Sequence, residues 1–268
     1  IASRCRKKFV TTQQNEVRPF IEEIVEQLPQ TIRDLEQQQI TTMYEALGEI
    51  IAAETDPAKR QTLVFKCMEL PNQSWQALIT SANHNADVLW DAKTIKQVTM
   101  VLKTNNRVAS SLGPGYIVQL ARIYVDMLQV YKMYSGYVSM KIQKEGPQQT
   151  RTAVVKSMRA VKKETLNLIR TFITNSAESD RDVILQNFLP ALLDPVLDDY
   201  KRNVPDARDA EVLSLFSVII EKLGQLSVPY IPRIFESVFQ CTLEMITRNF
   251  EDFPDHRHTF FKFLQAIN

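Results

Sequence analysis

The chain of 268 residues is long enough for two ordinary domains or one continuous array of repeats, and its 44% hydrophobic and 24% charged residues are those of a globular protein. With only 6 Gly it is poor material for turn-rich barrels and sandwiches or for glycine loops that cradle phosphate. Lys plus Arg (32) exceed Asp plus Glu (31) by one, so no global field draws nucleic acid or an anionic membrane, and a charged partner must read a local patch.

The three cysteines, Cys5, Cys67 and Cys241, are far apart and lack CxxC spacing, which fits a reducing compartment and argues against disulfides or a zinc site. No apolar run approaches the roughly 20 residues of a membrane span, and no signal peptide is expected. The chain opens at Ile1 rather than Met, and IASRCRKKF reads as the last turns of a helix already under way, so a piece of a longer protein is expected. The basic run Arg4, Arg6, Lys7 and Lys8 then sits at a helix C-terminus, where the macrodipole favours it. A nuclear localisation signal is the sharper alternative.

Pro19 is expected to open the next helix, with Phe20, Ile24 and Leu28 as its apolar stripe, Glu22, Glu23 and Glu26 on the solvated side, and a kink or split at Pro29. Its partner runs from Gln37 to Glu54 with Ile40, Met43, Tyr44, Leu47 and Ile51 inward. Asp56 caps a third helix at Pro57 that carries Leu63, Val64, Cys67 and Met68. The stretch Leu70-Pro71-Asn72-Gln73 reads as a break before a short helix with Trp75, Leu78 and Ile79. Asp91 or Asp87 caps the following helix, whose stripe is Ile95, Val98, Val101 or Leu102, Val108 and Leu112.

Gly113-Pro114-Gly115 is the sharpest stop. A long helix from Tyr116 to about Lys144 follows, with Tyr124, Tyr131, Tyr134 and Tyr137 at helical spacing, read as packing. Gly146-Pro147 ends it, and Thr150 or Thr152 starts a helix to about Ile173 through Val155, Met158, Val161 or Lys162, Leu166, Ile169 and Phe172. After a polar turn, Leu185, Phe188, Leu192, Val196 and Tyr200 define one helix of a hairpin, and Val212, Phe216, Ile219 and Leu223 define the other. Asp206 or Asp209 is expected to cap the second helix, while Pro190 and Pro195 bend the first. A helix from Pro229 to Phe250 and another carrying Phe260, Phe261, Leu264 and Ile267 close the chain.

The result is about ten or eleven helices, no convincing strand and short turns. The fold class is all-α: an α-α superhelix, a solenoid of antiparallel helix pairs of HEAT type over residues 1–268. The expected pairs are 16–54, 57–112, 114–176, 181–224 and 227–268, with 1–9 ending a preceding repeat. No pair can bury both of its stripes alone, so each needs neighbours.

Chemistry is scarce. His84, His256 and His258 read as surface or turn-capping residues, and no Ser–His–acid order has local support. GPGYIV lacks the Lys-Ser/Thr of a phosphate loop. Paired acids such as Glu22-Glu23 and Asp198-Asp199 read as capping and solubility charges. No catalytic, cofactor or metal site is expected.

One constellation stands out. Lys156, Arg159, Lys163 and Arg170 recur along one helix face, with Lys162 beside them and Glu164 as the helix's one acid. The bland account is a solvated face; the functional one is a docking strip for an acidic protein surface. Nucleic acid fits less well, because no aromatics are interleaved for stacking.

The hairpin LPALLDPVLDDY…DARDAEVLSLFSVIIEKLG resembles a HEAT repeat. Together with LPNQSW (70–75), LKTN (102–105), SMRAVKKETLNLI (157–169), DYKRNVPDARDAEVLS (199–214), VFQCTLEMI (238–246) and FPDHRHTFFKFLQAIN (253–268), it resembles the importin-β (karyopherin-β) superfamily, specifically its receptors for leucine-rich nuclear export signals. The likeness covers essentially the whole chain. Differences in 55–66, 82–91 and 133–154 are those of a divergent member.

The resemblance implies a ring-shaped receptor that shuttles between nucleus and cytoplasm through the nuclear pore, meeting nucleoporins. It binds the GTP form of the Ran GTPase inside the ring and export-signal cargo in an outer groove, with no direct nucleic-acid or membrane contact. On that pattern Ile1 to Phe9 belong to the helix that supports the groove. The groove's reactive cysteine, the acidic loop and the C-terminal tail fall outside the chain. Second helices of each pair face inward, which turns Lys156, Arg159, Lys163 and Arg170 towards Ran. Glu22, Glu23 and Glu26 lie on an outer helix, where basic cargo surfaces can meet them. The competing class is a helical-repeat scaffold with an unrelated partner.

Overall fold

The computed structural model describes residues 2–248 and 251–268, and among these there are α-helices and short turns but no strand. The chain divides into two compact units, Ile1–Ile123 and Tyr124–Asn268.

The first unit contains α1 (Ala2–Val10), α2 (Phe20–Thr31), α3 (Gln37–Ile51), α4 (Pro57–Cys67), α5 (Glu69–His84), α6 (Ala92–Leu112) and the start of α7 (Ile117–Glu145). α3 packs between α1 and α6, while α2 packs on α4. The Asp56 carboxylate accepts from the backbone N–H of Ala58 and Lys59, with Pro57 at the first helical position. Asp91 does the same for α6 through Lys93 and Thr94, so it, not Asp87, is the cap. Gly113 ends α6 at φ 68, a conformation that strains any residue with a Cβ.

Two expectations fail in this unit. The buried face of α2 is Ile21, Val25 and Leu28, one step round from the predicted stripe, and Phe20 is 47% exposed. Leu70-Pro71-Asn72-Gln73 is no break. α5 runs through it from Glu69, because Pro71 falls in the first turn, where its missing N–H has no helical partner to lose. The discontinuity lies at Met68 (φ −89, ψ 8).

Between α5, α6 and α7 the core of this unit holds a closed amide network. Asn72 and Gln119 exchange side-chain hydrogen bonds at 3.0 and 2.7 Å. Gln119 also donates to Asn105 Oδ1 (3.0 Å), which accepts from Tyr116 Oη (2.8 Å), and Asn105 donates to the Val101 carbonyl (2.8 Å). All four residues are buried.

The second unit contains the rest of α7, α8 (Ala153–Asn175), the single turn α9 (Arg181–Val183), α10 (Leu189–Arg202), α11 (Glu211–Leu223), α12 (Ile231–Arg248) and α13 (Pro254–Ile267). α11 packs between α8 and α13, and α10 packs on α12. α7 reaches the turn before α10 through Tyr124, whose hydroxyl donates to the Phe188 carbonyl at 2.7 Å. A wide π turn at Ile184–Phe188 precedes Pro190, whose ring would obstruct a regular turn; Pro195 lies inside α10. Each unit is thus two layers of helices, as an all-α HEAT-type repeat requires.

Of the predicted stripes, Phe188, Leu192, Val196, Tyr200, Val212, Phe216, Ile219 and Leu223 are buried, whereas Leu185 gives way to Ile184. In α13 the inward residues are His256, Phe260 and Phe263, and Phe261 is 61% exposed. Phe250, placed in the helix that is α12, and Ile1 lie outside the described residues. One stretch, Glu211–Arg248, has the hydropathy and length of a membrane span, contrary to expectation. It is broken by the 3-10 segment Gly224–Tyr230, and its α11 part is core.

Gln119→Ala should cost about 2–3 kcal/mol, since it leaves the buried amides of Asn72 and Asn105 short of partners. Urea unfolding will measure it. The double variant Asn72→Leu, Gln119→Leu should lose less than the sum of its single variants, because the reciprocal pair goes together.

Candidate functional site

α8 begins after Thr152, whose side chain turns back to the Gln149 carbonyl instead of capping. Its buried face is broad: Val155, Met158, Val161, Leu166, Leu168, Ile169, Phe172 and Ile173. Lys162 and Thr165 lie in the middle of that face and are fully buried.

Lys162 decides the arrangement. Its Nζ lies 2.8 Å from Asp199 Oδ2 on α10 and 3.3 Å from Asp209 Oδ2 just before α11. It also lies over the Tyr131 ring of α7, 5.4 Å from the centroid. Asp199 accepts from Tyr131 Oη (2.7 Å), from the Ser135 hydroxyl and from Asn203 Nδ2 (2.6 Å). Asp209 Oδ1 accepts from Arg159 Nη2 (2.8 Å) and Nε (3.2 Å), and Arg159 also donates to the Arg208 carbonyl at 3.3 Å. Two cations thus face two carboxylates, and the cluster is neutral.

Burial pushes the Lys162 ammonium down, but Asp199 and Asp209 outweigh it and hold its pKa above the ordinary 10.5. Burial pushes the Asp209 carboxyl up, but Lys162 and Arg159 hold it below its ordinary 3.8. Burial and the Asp199 charge push the Tyr131 phenol far above its ordinary range, so it stays a donor.

The hairpin turn is tied down around this cluster. Arg208 donates to the Tyr200 carbonyl (3.0 Å) and to the Cys241 carbonyl on α12 (2.9 Å). From α13, His256 Nε2 donates to the Arg208 carbonyl at 3.1 Å. Burial lowers the His256 pKa below its ordinary 6.5.

The predicted strip therefore divides. Lys156 is exposed and unpaired. Arg159, with its side chain 19% exposed, belongs to the buried cluster. Lys163 meets Glu211 Oε1 at 3.2 Å on the half-exposed surface, and Arg170 donates to Asn167 Oδ1 at 3.0 Å. Three sequence readings are corrected. Asp199 is a buried partner of Lys162, not a solubility charge. Asp209 spends its carboxylate on Arg159 and Lys162, so α11 has no side-chain cap. His256 is buried and joins α13 to the hairpin turn.

On α2, Glu26 pairs with Arg18 (2.7 Å) and Lys66 (3.6 Å), and Glu23 lies 3.8 Å from Arg18. Glu22 lines a cleft of about 730 Å³ with Ile21, Lys59 and Leu63. Among the described residues no group of three or more His, Cys, Asp or Glu could hold a metal ion. Cys67 is buried, which pushes its thiol up to about 12 and makes it inert as a nucleophile.

Reasoning from spacing missed the cluster, although one signal was present. Lys162 falls within the stripe Met158–Lys162–Thr165–Ile169, and a lysine in an apolar stripe needs buried carboxylates.

Lys162→Met should cost about 3–5 kcal/mol in urea unfolding, because Asp199 and Asp209 are left facing each other out of water. Adding Asp199→Asn and Asp209→Asn should recover part of that loss. Stability should also depend on pH in two windows. Asp209 is held low, so its contribution is complete above about pH 4 and is lost as pH falls through its folded value. His256 is held low too, so its contribution is complete above its ordinary 6.5 and is lost as pH falls through its folded value. His256→Gln should flatten the stability profile between about pH 7 and 5.

A family model described as CRM1 C terminal matches residues 119–268. The sequence is 47% identical to Protein EXPORTIN 1A of Arabidopsis thaliana, 47% to Exportin-1 of Dictyostelium discoideum and 44% to Exportin-1 of Drosophila melanogaster. Each alignment covers 100% of this chain and 25% of the relative, so the chain spans a quarter of the length of these curated relatives.

Proposed function

The chain belongs to the CRM1 C-terminal family, and from that premise we propose that it is the helical-repeat scaffold of a nuclear export receptor of the exportin-1 type. The observation that carries this reading is the family match over residues 119–268, more than half of the chain. In the proposed receptor, cargo proteins bearing leucine-rich signals leave the nucleus together with Ran in its GTP form, and the complex passes the pore by way of nucleoporins. The receptor shuttles between nucleus and cytoplasm, and its work is binding rather than bond chemistry.

Within that receptor, Lys156, Arg159, Lys163 and Arg170 form the inner strip that meets Ran, and Glu22, Glu23 and Glu26 form an outer patch for basic cargo surfaces. The contributions to Ran binding are unequal. Lys156 is an unshared charge; Lys163 and Arg170 are half exposed and only loosely held. Arg159 is committed to Asp209, so its part is to hold the strip's shape. Glu22 is the outer acid without an ion pair, which makes it the main acidic contact of that patch.

The test is Lys156→Glu with Lys163→Glu in the full-length receptor, leaving Arg159 in place because its reversal would unbalance the buried cluster. Ran-GTP affinity should fall roughly tenfold at low salt, and by less at high salt, with the melting temperature unchanged. Unchanged affinity would remove the strip assignment. A wild-type receptor that binds Ran no better with GTP than with GDP would remove the receptor reading and leave a scaffold with another partner.

A further inference from the structure

A second row of cations lies on α6, in the other unit. Lys93, Lys96, Lys103 and Arg107 fall within an arc of roughly 80° at 3.6 residues per turn, along about 21 Å of helix. Between Ala92 and Leu112 there is no acidic residue. The three lysines are exposed and unpaired. Arg107 reaches Glu45 of α3 only at 3.5 Å, with both side chains well exposed (52% and 39%).

The opposite face of α6 is core: Ile95, Val98, Leu102, Asn105, Ala109 and Leu112 are buried, so the row stands on a rigid support. Acids on the packed neighbours do not neutralise it. Asp91 is spent on the cap, and Asp87 accepts from Trp90 Nε1. Glu45 and Glu49 on α3 leave an excess of positive charge along the row.

We infer that this face of α6 docks an extended acidic segment of a partner protein. The row is one residue wide and lies on a convex helix, which suits a single chain laid along it. An extended peptide presents same-side residues about 6.8 Å apart, so three or four carboxylates can meet the row. Stacking on nucleic-acid bases has no aromatic platform here. Insertion into a lipid surface has no exposed large apolar side chain on α6. The inference is independent of the strip on α8, which involves other residues.

A fluorescein-labelled deca-glutamate peptide, titrated by anisotropy against the 268-residue chain at low salt, tests it. Lys96→Glu with Lys103→Glu should weaken binding at least about tenfold and flatten the salt dependence. Lys96→Gln with Lys103→Gln, which removes charge without adding repulsion, should fall between that variant and wild type, and circular dichroism melts should match wild type. Lys156→Glu with Lys163→Glu on α8 should change affinity less than about twofold. Equal losses from the α6 and α8 pairs, or no loss from the α6 pairs, would overturn the inference. Tighter binding, dependent on Lys96 and Lys103, to a thymidine oligonucleotide or to phosphatidylserine vesicles would also overturn it and assign the row to that class instead.

Discussion

The ammonium of Lys162, held out of water between Asp199 and Asp209, is the constraint on which the second unit depends. Desolvating any one of these charges costs several kcal/mol, and only the geometry of the whole group offsets it. The three residues come from α8, α10 and the turn just before α11, while Tyr131 and Ser135 bring in α7. An apolar stripe can slide by a turn against its neighbour and still bury much of its area. A charge that must reach two carboxylates at once cannot. The cluster therefore sets the register in which the apolar faces meet, and the hairpin turn, α12 and α13 are hung from that register through Arg208 and His256.

The first unit solves the same problem without charge. Asn72, Asn105, Tyr116 and Gln119 close a network in which each amide satisfies another, and three elements must be in place for it to close. Neutral amides cost less to bury than ions, and the penalty for leaving one unpaired is correspondingly smaller. Both units thus place a polar, geometry-demanding group inside a repeat architecture whose apolar surfaces are otherwise interchangeable.

The all-helical class, most turn positions, the caps at Asp56 and Asp91 and most inward faces were legible in the sequence because they rest on local signals: proline and glycine punctuation, an Asp before a helical run, and a period of 3.6. The failures have specific causes. α2 and α13 each carry apolar residues on adjacent faces, so periodicity alone could not choose between Phe20 and Ile21 or between Phe261 and Phe263; the choice is made by which neighbour packs there. Pro71 was misread because a proline in a first turn and a proline in a break look alike in one dimension. The pairing of Lys162 with Asp199 and Asp209 joins residues 37 and 47 positions apart, and nothing local marks either acid as its partner.

The same distinction governs which charges can act on a partner. A basic strip counted along a helix treats every cation as available, yet Arg159 has its counterion within 2.8 Å and contributes little field outside the protein. Its reversal would be felt by the fold before it was felt by any ligand. A cation free to steer association is one whose own structure gives it no carboxylate, and spacing cannot reveal that. By this criterion α8 keeps Lys156 as its unshared charge, with Lys163 and Arg170 loosely held. α6, which drew no notice in the sequence because its four cations are spread over about four turns, presents three unshared lysines on one face. The strip that looks strongest in sequence is thus partly internal architecture, and the field that reaches solvent is strongest where the helix has no acids of its own and the neighbouring helix supplies too few.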